Sequence, residues 1–250
     1  MTELDGPTTA LVRLAAAIAE GGEGRLGERA AELVGSGAPQ LWGDELLLQS
    51  ILMVGYPRAL IAAHWWRLAT GQPAVAGEDA ADEFLLAEWR RRGEATCRVV
   101  YGANYDKLRR NVASLHPAID AWMVTEGYGR TIGRPGLDLV RRELCIIAQV
   151  TVLRAERQLH SHLRGALHAG ATRALVESTI DALRADIGAA GVEDSDSLAH
   201  LVRPFATWLA KRGVGEQRHA RLQAELARGV RGFGGDVRQF FGRRHVVHTG

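Results

Sequence analysis

Two runs in the second half of the chain hold the residue types that acid–base chemistry needs. Leu137-Asp138-Leu139-Val140-Arg141-Arg142-Glu143-Leu144-Cys145-Ile146-Ile147-Ala148 reads as an amphipathic helix with a carboxylate near its start. Gln158-Leu159-His160-Ser161-His162-Leu163-Arg164-Gly165-Ala166-Leu167 reads as the helix that follows. An imidazole titrates near neutrality, which makes His162 the natural proton donor, and Glu143 can orient its ring. The expectation is one hydrogen-bonded pair bridging consecutive helices. Each residue also has an ordinary alternative. A helical histidine can be a core or interface residue, a first-turn Glu143 can complement the helix dipole, and Arg164 can form an intersubunit salt bridge. A zinc site is not expected. His160 and His162 diverge on a helix, and Arg164 sits between His160 and His168 on the face those two share.

These runs need helices to hold them, and the rest of the chain supplies the pattern. Ala, Leu, Arg and Glu dominate, and apolar residues recur at three- and four-residue steps, as in Leu11, Leu14, Ala15 and Ile18. Period-two alternation is nearly absent, and Arg98-Val99-Val100-Tyr101 is too short to define a strand. Gly21 to Gly24, Gly35 to Pro39, Gly71 to Pro73, Gly133 to Gly136 and Gly188 to Gly191 mark the breaks. The fold class is therefore all-α. The 250 residues suffice for one large domain or two small ones.

Setting the chain against itself at an offset of 133 aligns Leu11 with Leu144, Ala15 with Ala148, Leu26 with Leu159, Gly37-Ala38 with Gly170-Ala171 and Gly55 with Gly188. In both copies one helix leads to a second that ends at Gly-Ala, and a third then ends in Gly. The reading is a tandem degenerate repeat: a first module over 1–77, a helical connecting segment over 78–136, a second module over 137–195, and C-terminal helices with a basic, aromatic tail over 196–250. Arg29 falls where the second copy has His162, so one functional and one structural copy is the economical interpretation.

Arg134-Pro135-Gly136-Leu137-Asp138, Arg142-Glu143-Leu144, and His162-Leu163-Arg164-Gly165-Ala166-Leu167 with Gly170-Ala171 together resemble the carboxymuconolactone decarboxylase superfamily, which includes the alkylhydroperoxidase D-like proteins. The clear similarity spans about 101–190, including Tyr101-Gly102 and Glu126-Gly127-Tyr128-Gly129. The resemblance implies an all-helical module that oligomerises, as a hexamer of single modules or a trimer of double ones. In the peroxidase-like branch, Glu is followed by Cys-x-x-Cys and His; here the cysteine positions hold Ala155 and Gln158. Neither can replace a thiolate nucleophile, so CxxC peroxidase activity is not expected and the Cys-less, decarboxylase-like branch is the nearer match. That branch implies a carboxy-lyase of the 4-carboxymuconolactone decarboxylase type, with Glu143 and His162 catalytic. Arg164, His160, Gln158 and Tyr128 would bind a small carboxylated lactone-like substrate. No metal, nucleotide or organic cofactor is implied. The alternative is a non-catalytic helical scaffold or ligand-binding member of the same superfamily.

Lys and Arg number 31 against 29 Asp and Glu, a formal net charge of +2 that gives no electrostatic reason to expect nucleic acid. Apolar stretches are interrupted before the roughly 18 residues a membrane span requires, and no signal-peptide pattern opens the chain. Cys97 and Cys145 are too distant in sequence for a redox motif. Cys145 is expected on an apolar face, buried and inert. A cytoplasmic homo-oligomer is expected, with the trimer favoured and the hexamer an alternative. Gly127, Gly129 and Gly133 lack the preceding strand of a dinucleotide loop. His64, Trp65, Trp66, Trp89 and Trp122 are expected in core or interface packing. The tail, with Arg231, Arg238, Arg243 and Arg244 among Phe233, Phe240 and Phe241, reads as a solvated tail or an arm docking on a neighbour.

Overall fold

The computed structural model describes residues 4–74 and 85–189, with side chains in the last helix described to residue 184. The described residues are helical, with no strand among them. The order is α1 (Gly6–Glu20), α2 (Glu23–Gly35), α3 (Gln40–Thr70), α4 (Leu86–Tyr101), a short 3-10 turn, α5 (Tyr105–Leu115), α6 (Pro117–Trp122), a π-helical segment (Met123–Ile132), α7 (Leu139–Val152), α8 (Glu156–His168) and α9 (Arg173–Ala189). The region 190–250, which includes the basic and aromatic tail, and the expected boundary at 77/78 lie outside the described residues.

The core forms around α1 and α7. Asp5 caps α1 by accepting from the Thr8 amide at 2.7 Å, and Asp138 caps α7 by accepting from the Arg141 amide at 3.0 Å. Both helices bury apolar residues on most of their surface, from Ala10 to Ala19 and from Leu144 to Val150. They pack against each other; α2 and α3 close on α1, and α8 and α9 close on α7. Where α1 meets α7, Arg141 Nε donates to Thr8 Oγ1 at 3.0 Å.

The first copy's third helix breaks at Gly55, where the sequence places its end. Gly55 takes φ 71° and breaks the helical path, yet α3 continues to Thr70. Pro57 is tolerated because it opens the second half, where a missing amide costs no hydrogen bond. The resulting 31-residue helix is long and apolar enough, by length and composition alone, to cross a membrane, and only 28% of its most apolar stretch is buried. Leu48, Leu52, Tyr56 and Leu60, each four residues apart, lie exposed along it.

A buried ionic cluster, which nothing in the sequence had flagged, joins α3 to α7. Arg142, 0% exposed, donates to Glu45 at 2.7 Å and to the carbonyls of Leu137 and Arg134, while the Arg134 guanidinium also pairs with Glu45 at 3.2 Å.

Two glycines fix the crossing of α4 with the π-helical segment. A Cβ on Gly93 would overlap the Val124 carbonyl, and one on Gly129 would overlap the Trp89 carbonyl. Arg92 Nε tightens the crossing by donating to the Gly129 carbonyl at 2.7 Å. Glycine here serves close backbone approach, the role left for Gly129 once a dinucleotide loop is excluded. Trp66 and Trp89 are buried as expected, whereas Trp122 is 64% exposed.

Candidate active site

Glu143 lies in the second turn of α7, past the Asp138 cap, so it is not the first-turn carboxylate that a dipole role requires. His162 lies midway along α8. The α7–α8 packing brings them together: His162 Nδ1 lies 2.9 Å from Glu143 Oε2. The carboxylate side chain is 0% exposed and the imidazole 6%, so whatever contact the pair keeps with solvent runs through the ring. Glu143 Oε1 is buried with no hydrogen-bond partner. A buried carboxylate oxygen with an open acceptor position is costly, and such groups concentrate where a donor is bound during function.

Gly165 makes this approach possible. A Cβ there would sit 2.6 Å from Glu143 Oε2 and 2.7 Å from Val100 Cγ1, so the glycine lets α8 close on both α7 and α4. One turn on, His168 Nδ1 lies 2.8 Å from the Val100 carbonyl and its ring packs beneath Gly102. The C-terminal end of α4 is thereby held against α8.

That anchoring carries Tyr101, the last residue of α4, into the same region as Tyr128 of the π-helical segment. Their rings meet edge to face with centroids 6.0 Å apart. Tyr128 is 4% exposed and Tyr101 half-buried. Burial pushes the Tyr101 phenol up to about 12, against the pull of its bond with Tyr128 and of the Arg164 cation. Tyr128 is pushed well above the ordinary tyrosine value by burial, with the charges of Tyr101, Glu143 and Cys97 adding to it. Both phenols are therefore neutral hydrogen-bond donors at ordinary pH.

Of the residues singled out from sequence, Glu143 and His162 touch. Tyr128 feels the charge of Glu143. Arg164 is half-buried, donates from Nε to the His160 carbonyl at 3.1 Å, and acts electrostatically on Tyr101. His160 thus meets Arg164 through its backbone, and its side chain is half-buried. Gln158 is exposed in the first turn of α8. Sequence reasoning passed over Tyr101 as a site residue; its signal was the Tyr101-Gly102 pair, since Gly102 takes φ 52° to end α4 directly after the tyrosine. Cys97 and Cys145 are both 0% exposed, and burial raises each thiol to about 12.

A groove lies elsewhere, between α3 and the π-helical segment. It has a volume of about 670 Å³, with walls from Leu48, Ile51, Leu52 and Leu60 and a rim that includes Glu126 and Arg130.

An all-helical module that encloses a carboxylate–imidazole pair between consecutive helices is the class that this fold and site define. The carboxymuconolactone decarboxylase family model matches residues 117–200, a stretch that opens at α6 and contains Tyr128, Glu143, His162 and Arg164. The chain is also 41% identical over 98 residues to an uncharacterized 15.0 kDa protein in the nqo9-nqo10 intergenic region of Paracoccus denitrificans, a match covering 38% of this chain and 73% of that protein. This chain belongs to the carboxymuconolactone decarboxylase family.

Proposed function

We propose that the chain is a cofactor-independent decarboxylase, or a related lyase, acting on a small carboxylated lactone-like substrate through Glu143 and His162. The observation that carries this reading is the 2.9 Å contact between a fully buried carboxylate and an almost fully buried imidazole. In such a site Arg164 holds one substrate carboxylate through its guanidinium. The carbon–carbon bond to the departing carboxylate breaks, carbon dioxide leaves, and the electron pair moves into the conjugated lactone carbonyl. His162, as imidazolium, then gives its proton to carbon, and Glu143 holds the ring and stabilises its charge. Solvent restores the proton through the exposed edge of the imidazole.

The test is ultraviolet-monitored turnover of γ-carboxymuconolactone by the wild type, His162→Ala and Glu143→Ala. Turnover that falls at least about 100-fold in both variants supports the pair, since removing an acid–base group costs that much or more. A folded wild type that does not turn the lactone over removes this substrate.

The tandem repeat belongs to the same proposal. In its favour, α7, α8 and α9 each begin 133 residues after α1, α2 and α3, and the caps Asp5 and Asp138 obey the same offset. Thr8 and Arg141, also 133 apart, bond to each other where the two copies meet. Ala10 and Arg29 stand where the second copy has Glu143 and His162, so the first copy is the structural one.

A second reading, a helical assembly or ligand-binding module without turnover, draws on the exposed apolar residues of α3. The two are compatible if that stripe is a subunit contact, and a homo-oligomer, the trimer ahead of the hexamer, is part of the proposal. Action in the cytoplasm on a small molecule, with no nucleic-acid or membrane partner and no cofactor, completes it.

A further inference from the structure

The groove beside α3 has no part in the acid–base step, yet its construction is specific. Asp44 accepts from the Trp66 indole at 2.8 Å and pairs with Arg67, although 22 and 23 positions separate them. A straight helix would hold such residues about 33 Å apart, so the two halves of α3 fold back on one another at Gly55. A Cβ on Gly43 would sit 2.3 Å from the Trp66 indole, and glycine there lets the halves close at the end away from Gly55. The groove holds about 670 Å³, a size that suits a small molecule. Leu48, Ile51, Leu52, Ala59, Leu60 and Ala63 make its sides aliphatic. At the closed end the lining turns charged, with Arg67 paired to Asp44 and Arg134 paired to Glu45. The side chains of Arg134 and Glu45 are 8% and 4% exposed, so this end is built into the protein rather than laid on its surface.

The acceptors at the charged end are already engaged. Glu45 serves two guanidinium groups. Arg142 reaches it at 2.7 Å, the ordinary length of a charge-assisted bond, whereas Arg134 stands at 3.2 to 3.3 Å. Asp44 Oδ1 serves both Trp66 and Arg67. A cationic head would find these carboxylates occupied and would face guanidinium groups. A carboxylate head meets a planar fork whose geometry matches its own.

We infer that this groove binds an aliphatic monocarboxylate, with its head on Arg134 and its chain along the two halves of α3. Neither Glu143 nor His162 lines the groove, so the inference does not depend on the acid–base reading. Burial of the chain supplies affinity, and Arg134 supplies orientation and the preference for an anion. The subunit contact proposed for this face then roofs the groove rather than filling it.

The probes are decanoate and decylammonium, which share a chain and differ in the charge of the head. Each is titrated by calorimetry, below its micelle concentration, into the wild type, Ala63→Phe and Arg134→Gln. Circular dichroism establishes that each variant is folded. The wild type is expected to bind decanoate at least about tenfold more tightly than decylammonium, the size of one charge-assisted hydrogen bond. Ala63→Phe fills the groove away from the charged end and is expected to weaken decanoate at least about tenfold. Arg134→Gln is expected to bind the two probes alike, a change of preference that a purely structural role would not produce. If that variant does not fold, the head-group comparison in the wild type and the loss in Ala63→Phe decide the matter. A wild type that binds both probes equally overturns the inference, as does undiminished decanoate binding by Ala63→Phe. A wild type that binds neither also overturns it and leaves the groove to a second copy of the chain.

Discussion

Cys145 lies two residues beyond Glu143 on α7, and Cys97 precedes Tyr101 by one turn of α4, but both thiols are fully buried. Burial holds each near 12, with Arg142 opposing at Cys145 and Arg109 opposing at Cys97. A thiol at that value is protonated across the working range and is a poor nucleophile, so neither supplies the thiolate that Ala155 and Gln158 fail to provide. The shift also has a consequence for stability. In the unfolded chain each thiol ionises near its ordinary value, about 8.5, while the folded protein keeps it protonated. Above that value the unfolded state binds fewer protons than the native state, so stability falls as pH rises, by up to about 1.4 kcal/mol per pH unit for each thiol. The loss runs from the ordinary thiol range up to the folded value. Urea midpoints from about pH 8 to about 9.5, below the ordinary tyrosine range, are expected to fall for the wild type and to flatten for Cys97→Ala/Cys145→Ala. An identical slope in the two proteins would mean that the thiols titrate freely in the native state. The contact between Glu143 and His162 was legible from residue type and spacing, because the two runs read as consecutive helices with a carboxylate on one and an imidazole on the next. The Tyr101–Tyr128 contact was not, since the two rings are 27 positions apart in the chain and meet only where α4 packs against the π-helical segment.

Among the elements, the ones that hold the site are those whose local chemistry the sequence displays. Asp138 caps α7 where the sequence places a helix start, and the glycine at 170 takes φ 107° just after α8. The π-helical segment escaped because its residues follow a helix without an interruption, and widening the turn answers to packing against α4 rather than to propensity. The Glu45 cluster escaped for a related reason: its members lie 89 and 97 positions apart, and only the α3–α7 packing joins them. That cluster gives the element scale its own prediction. Glu45 is the shared carboxylate between Arg134 and Arg142, and all three are almost fully buried. Breaking a buried pair from one side leaves charge without compensation, at a cost of about 3–5 kcal/mol. Glu45→Ala is expected to lose that much in urea unfolding, because two buried guanidinium groups would lose the carboxylate they share. A loss below about 1 kcal/mol, the level of an exposed pair, would show that the cluster is hydrated in solution.

At the scale of the whole molecule, the pair at Glu143 and His162 is complete within one chain, whereas α3 is not. Leu52, Tyr56, Leu60 and Leu68 are 39%, 63%, 64% and 60% exposed, and the groove beside them is walled by the same helix. Fully burying one large aliphatic side chain is worth about 1.5–3 kcal/mol, so a stripe of this size in contact with water favours association. The proposed homo-oligomer covers it with a second copy. Leu52→Lys/Leu60→Lys places two charges on the stripe without touching α7, α8 or the end of α4. Light scattering is expected to give a multiple of 27.1 kDa for the wild type and a single chain for the variant. The His162–Glu143 contact lies on other helices, so the monomer is expected to keep the wild type's turnover of the lactone. Dissociation with turnover retained would separate assembly from chemistry. Dissociation with turnover lost would mean that the neighbouring chain helps to shape the site, and an unchanged mass would move the subunit contact to another face.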